Sequence, residues 1–137
     1  MFYGMNAWFL ATLVMGALWW VAIAAHPSWM KLPAEAGARA YVAAWSRGGP
    51  VLAVLTLFSV GLGFAAAGSE PDMKWAIGAG FMLSAFVFTL VFMAKPGHAL
   101  RDAPSDAHAV LRTWGRLHLI RCVLASVGVF FFIWAAH

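Results

Sequence analysis

Trp114, His118 and Arg121 follow one another at spacings of four and three residues, which on a helix sets all three on one face. An imidazole can move a proton near neutral pH, and a guanidinium can hold an enolate, a carboxylate or a phosphate. Two further imidazoles stand beside helix breakers: His26 directly before Pro27, and His98 just after Pro96-Gly97. His118 is therefore the candidate proton acceptor and Arg121 the candidate anion holder, with His26 and His98 assisting at a substrate. Trp114 and Trp19 are the candidate aromatic walls. The remaining histidines, His108 and His137, read as interfacial and as a solvated tail.

Such a set works only if distant parts of the chain carry these residues to one place. Four uncharged or nearly uncharged apolar runs can do so: residues 7–25, 51–67, 75–94 and 117–136. Each is about the length that crosses ~30 Å of hydrocarbon at ~1.5 Å per residue. The breakers Arg47-Gly48-Gly49-Pro50, Gly68-Ser69-Glu70-Pro71 and Lys95-Pro96-Gly97 bound them, and Pro104-Ser105-Asp106 reads as a helix start. The leader MFYGMN lacks the Lys or Arg of a signal peptide, so the first run is expected to stay as a helix. The fold expected is all-α, one integral membrane domain built as a four-helix transmembrane bundle. Runs one, three and four then bring His26, His98 and His118 to a shared rim, which is how bundles assemble sites.

Composition supports the same reading. The 137 residues are 64% hydrophobic and only 10% charged, whereas a soluble domain runs at about 45–50% and about 25%. A net charge of +4 would raise nucleic acid in another chain, but here the basic residues sit at the ends of apolar runs, and no basic stripe interleaves with exposed aromatics. The bilayer is the expected partner. Lys31, Arg39 and Arg47 fall in the first connection and Lys95, Arg101, Arg112 and Arg116 around the third, while the second holds only Lys74 beside Glu70 and Asp72. Positive charge collects on the cytoplasmic side, so both termini are expected on the opposite side.

Helix packing has local signals as well. Ala76, Gly80 and Ser84 form a small-residue row on the third run, and Gly63 and Ala67 another on the second; such rows allow close backbone approach, first within the monomer and otherwise in a homodimer. Trp8, Trp75 and Trp134 fall where interfacial aromatics usually sit. Arg121, about one turn into hydrocarbon, must either snorkel to the head groups or face the bundle interior. The face that continues through Ala125, Gly128 and Phe132 favours other helices over lipid.

Other classes lose ground. No Asp or Glu lies inside any run, which disfavours a proton-coupled transporter. The lone Cys122 reads as a small buried hydrophobe. His26 and His118 are the pair that could ligate a haem, but no His-x-x-x-His, Glu-x-x-His or Cys-x-x-Cys-His motif supports one; no metal and no cofactor is expected. Catalysis on a small hydrophobic molecule and a non-catalytic role as an accessory or lipid-binding subunit of a larger membrane complex both stay open.

The order of parts resembles the anthrone oxygenase-like family of small four-span proteins. It carries Pro96, His98 and Leu100 after the third run, then Trp114, His118 and Arg121 opening the fourth. The resemblance implies a bacterial inner-membrane protein, and a cofactor-free oxygenase acting on an electron-rich phenolic at the cytoplasmic leaflet. His98 stands where the family pattern has Asn, which leaves the identity of the substrate open.

Overall fold

A computed structural model describes all 137 residues. Four long helices carry nearly the whole chain: α1 (Phe2–Lys31), α2 (Ala34–Ser69), α3 (Met73–Arg101) and α4 (Ala107–Ala136). Each packs on the next in sequence and α1 also packs on α4, closing an up-down-up-down bundle. Both termini and the second connection share one end. There the N-terminal amine pairs with Glu70, and Lys74 donates to the Trp134 carbonyl at 3.4 Å. The first and third connections share the other end, where His108 Nε2 donates to the Leu32 carbonyl at 2.7 Å.

The medium follows from what the helices leave uncovered. Phe9, Leu13, Ile23, Val51, Val54, Phe58, Phe64, Leu90, Phe92, Val123, Phe130 and Ile133 all point outward. An apolar belt of that extent is compatible with hydrocarbon and not with water.

The helices run well past the expected spans. Most of the excess lies at the end of the first and third connections, where α1 continues to Lys31, α2 begins at Ala34, α3 continues to Arg101 and α4 begins at Ala107, the last as the helix start at Pro104-Ser105-Asp106 implied. These turns are too amphipathic to register as apolar runs, yet they pack into a core of their own: Trp29, Ala38, Tyr41, Met93, Leu100, Ala107, Leu111 and Trp114. A second core fills the lipid-level bundle, from Ala7, Ala11, Val14 and Leu18 to Met82, Ala125, Val129 and Phe132. The chain therefore has a membrane core and an aromatic cap stacked on it.

Proline shapes the junction between the two. A proline within a helix lacks an N–H and crowds the carbonyl four residues back. Four residues before Pro27 and Pro96 lie Ile23 and Phe92, and each sits inside a π turn, Val21–Ala25 on α1 and Thr89–Met93 on α3. On α1 the His26 N–H reaches back to the Val21 carbonyl, the five-residue bond that defines such a turn. Pro50 lies inside α2 near the same level. Only α4 crosses the junction with neither proline nor π turn.

Several local expectations are revised. Trp75 is not an interfacial anchor: it is 1% exposed, because Gly4 on α1 leaves room for its indole. The row of Gly80 and Ser84 does not pack within the monomer, since Gly80 has open space about its α-carbon and Ser84 is exposed. On α3 the close approach is made one helical face away, by Gly78 against Gly128 and Phe132, whereas on α2 the expected Gly63 does pack inside, against Ala79 and Phe132. Asp106 does precede α4 but makes no side-chain cap. The capping carboxylate is Asp72 on α3, which accepts from the Lys74 backbone N–H at 2.9 Å; that bond and the Lys74 ammonium hold its carboxyl below the usual range.

A β-carbon at Gly78 would fall 2.6 Å from Phe132 and 3.0 Å from the Gly128 carbonyl, whereas one at Gly80 meets nothing. Gly78→Ala should therefore lower stability by about 1–3 kcal/mol through overpacking, and Gly80→Ala should leave it unchanged. Thermal unfolding of the two variants in detergent checks this contrast.

Candidate functional site

Trp114, His118 and Arg121 leave α4 toward the bundle interior at the junction of cap and membrane core. They are 1%, 0% and 5% exposed. Arg121 does not snorkel: its α-carbon sits on the face that continues through buried Ala125, Gly128 and Phe132.

His118 bridges two helices. Its Nε2 donates to the Leu18 carbonyl at 2.8 Å, at the foot of the α1 π turn. Its Nδ1 lies 2.6 Å from Arg121 Nη2. A carbonyl only accepts and a guanidinium only donates, so these partners place the ring proton on Nε2 and the lone pair on Nδ1. The one basic nitrogen of this imidazole is thus already committed to Arg121.

Arg121 is held from four directions without a carboxylate. Nη2 is on His118, and Nη1 donates to Thr89 Oγ1 at 3.1 Å, the first residue of the α3 π turn. Trp45 on α2 presents its ring face 4.8 Å from the guanidinium carbon, with Trp114 at 6.0 Å. Nε is buried and has no partner. The acids are elsewhere: Glu35 pairs with Arg39, Glu70 with the N-terminal amine and Asp72 with Lys74, while Asp102 and Asp106 belong to the third connection. A buried cation normally has an anion to offset its desolvation. This one has a cavity.

The space beside Arg121 has two lobes. The upper, about 280 Å³, is enclosed by Tyr41, Trp45, Met93, His98 and Trp114. The lower, about 360 Å³, descends between Val14, Leu18, Ala53, Thr56, Met82 and Ala125. Trp45, Ser46, Thr89, Leu90, Arg101 and Arg121 line both. An oxyanion in this space would meet Arg121 at the floor and Arg101 at the rim.

Of the residues singled out from the sequence, Trp114, Arg121 and His98 border the upper lobe. His118 stands behind Arg121, stacked on Trp114 with centroids 4.8 Å apart. His26 reaches the same end but not the cavity: it stacks on Trp114 at 6.0 Å and gives its Nε2 proton to the Leu111 carbonyl at 2.7 Å. Trp19 lies apart, donating to Ser126 Oγ at 2.9 Å. With the Nε2 atoms of His26 and His118 both spent on backbone carbonyls, the pair does not offer the two free nitrogens a haem would need. No three His, Cys, Asp or Glu side chains converge. Sequence reasoning missed Tyr41, Trp45, Thr89 and Arg101. Tyr41 and Trp45, four residues apart with stacked rings, carried a readable signal as an aromatic pair on one helix face; Thr89 carried none.

His118→Phe would keep the stacking but leave Arg121 Nη2 without its acceptor, at about 1–3 kcal/mol, and the Leu18 carbonyl with the Val21 N–H alone. A marked fall in thermal stability in detergent is expected, with partial recovery in His118→Gln, whose amide can serve the carbonyl.

Comparison with known proteins gives one family. The family model described as "Anthrone oxygenase" matches residues 38–131. No curated protein and no solved structure matches.

Proposed function

The chain belongs to the anthrone oxygenase family, and from that premise we propose that it is an enzyme oxidising an acidic, electron-rich aromatic with dioxygen. What supports this is Arg121: a buried guanidinium with no carboxylate partner, bordering an aromatic-walled cavity.

The chemistry assigned to these residues begins with the loss of a proton from an activated ring methylene. The acceptor is His98, whose imidazole borders the upper lobe and is not engaged by another side chain or carbonyl. The charge moves to the substrate oxygen as an enolate, held by Arg121 and steadied by Arg101; a fixed cation where charge develops is an efficient way to lower such a barrier. The carbanion carbon gives its electrons to dioxygen, forming a carbon–oxygen bond and, once protonated, a hydroperoxide. Loss of water from that group, with the second hydrogen from carbon, leaves a carbonyl. One dioxygen thus converts CH2 to C=O and yields one water, with no other reductant. His118 positions Arg121, its basic nitrogen being occupied. The charge distribution supports a cytoplasmic cap with both termini across the membrane, and the reading places the chain in a bacterial inner membrane.

A non-catalytic role within a larger membrane complex is favoured by one observation, the outward-facing Gly80 and Ser84. Native mass measurement after gentle extraction separates the two: a stoichiometric protein partner supports an accessory subunit.

Anthrone turnover, followed by oxygen uptake and quinone absorbance, tests the catalytic reading. Arg121→Gln removes a charge-assisted hydrogen bond worth about 1.5–3 kcal/mol, so kcat/KM should fall about 10- to 100-fold. His98→Ala should lower kcat by at least about 100-fold with KM little changed. Turnover by Arg121→Gln at the wild-type rate would end the proposal.

A further inference from the structure

The lower lobe has no part in the chemistry above, yet it is the larger of the two and lies at lipid level. Its walls are aliphatic where they descend, with Val14 and Leu18 on α1, Ala53 on α2, Met82 and Ala85 on α3 and Ala125 on α4. Its side toward the bilayer lies between α2 and α3. There α2 contributes Gly49, Pro50 and Ala53, all small or lacking a flexible side chain, and α3 contributes Phe86 and Leu90. Pro50 is exposed and Leu90 is 59% exposed, so this crevice faces hydrocarbon. Both helices depart from regular hydrogen bonding here, α2 at Pro50 and α3 at the π turn from Thr89. These are the positions at which helices bend and neighbours separate.

We propose that this crevice is a lateral portal, and that the lower lobe binds the apolar body of a lipophilic weak acid drawn directly from the bilayer, with its acidic oxygen at Arg121. The ligand class follows from the two ends of the space. Arg121 is a fixed cation, 5% exposed, with Nε unpartnered. Polar side chains line the lower lobe at the neck it shares with the upper, from Ser46, Thr89 and Arg101; below that neck its side chains are carbon apart from the Thr56 hydroxyl, which already donates to the Leu52 carbonyl at 2.7 Å. An acid whose body prefers hydrocarbon and whose oxyanion prefers a guanidinium satisfies both. The indole of Trp45, which lines both lobes, and that of Trp114 in the upper one favour a flat aromatic over a flexible chain. The proposal rests on the reading of Arg121 as the oxyanion holder, but it concerns access and binding, not turnover.

The test uses the full chain in phosphatidylcholine nanodiscs with 9-anthracenecarboxylate, read by energy transfer from tryptophan. Wild type should bind it, and Arg121→Gln should weaken binding about tenfold or more. Ala53→Trp, placed to plug the portal, should slow association or weaken binding about tenfold; Ala53→Leu should do so to a smaller degree and serves should the larger variant misfold. Gly80→Trp, on another face of α3, should behave as wild type. Failure of wild type to bind, or Ala53 variants that bind as fast and as tightly as wild type, would overturn the portal. Arg121-dependent binding with unaltered Ala53 variants leaves the catalytic reading standing alone; retained binding in Arg121→Gln sinks both. If replacing a third of the lipid by phosphatidylglycerol abolishes binding in competition, the lobe belongs to anionic lipid and the aromatic acid is excluded.

Discussion

A guanidinium taken out of water is among the most unfavourable groups to place near hydrocarbon, and the junction of this bundle is organised around one. Arg121 cannot lose its charge, so its surroundings must stand in for solvent. They do so with neutral groups: the Nδ1 lone pair of His118, the Thr89 hydroxyl and the faces of two indoles. None of these carries negative charge, and that is the decisive point. A carboxylate here would neutralise the cation and close the site; neutral acceptors tolerate it and leave its attraction for an anion unspent.

The constraint reaches outward through the backbone. Thr89 opens one turn in which the helical ladder has slipped to five-residue spacing, and Leu18 lies three residues before the other; each turn stands just ahead of a proline. Such turns free or redirect polar groups that a regular helix would keep to itself. The wider turns and Pro50 thus serve the site twice, supplying Arg121 and His118 with partners and opening space beside them. Above the junction the aromatic cap shields the same layer from water; below it the small residues Gly63, Gly78 and Gly128 draw the helices together.

How much of this the residues disclose beforehand depends on whether the signal is local. The four helices were legible because apolar runs of span length have no other stable form in lipid, and the face carrying Trp114, His118 and Arg121 was legible because helical spacing is local geometry. The inward turn of Arg121 followed from Ala125, Gly128 and Phe132 on the same stripe. Of the cap only the early start of α4 was legible; its other turns alternate polar and apolar residues and read as connections. The contribution of Thr89 and Trp45 was not legible either, since their meeting with Arg121 depends on how three helices rotate about their axes. Trp75 shows the same limit: only the glycine opposite it on α1 decides that it is buried rather than at the interface. Both π turns were invisible as such, although the prolines that accompany them were in plain view.

Three imidazole bonds tie α4 to α1 and the residue that ends it: His118 to the Leu18 carbonyl, His26 to that of Leu111, and His108 to that of Leu32 just past α1. Every acceptor is main chain. The leucine side chains at these positions are free to change identity without breaking the links, whereas each histidine is not. Paired substitutions between the two helices would consequently carry little trace of these three contacts, unlike the side-chain pair of Trp19 and Ser126 that joins the same helices.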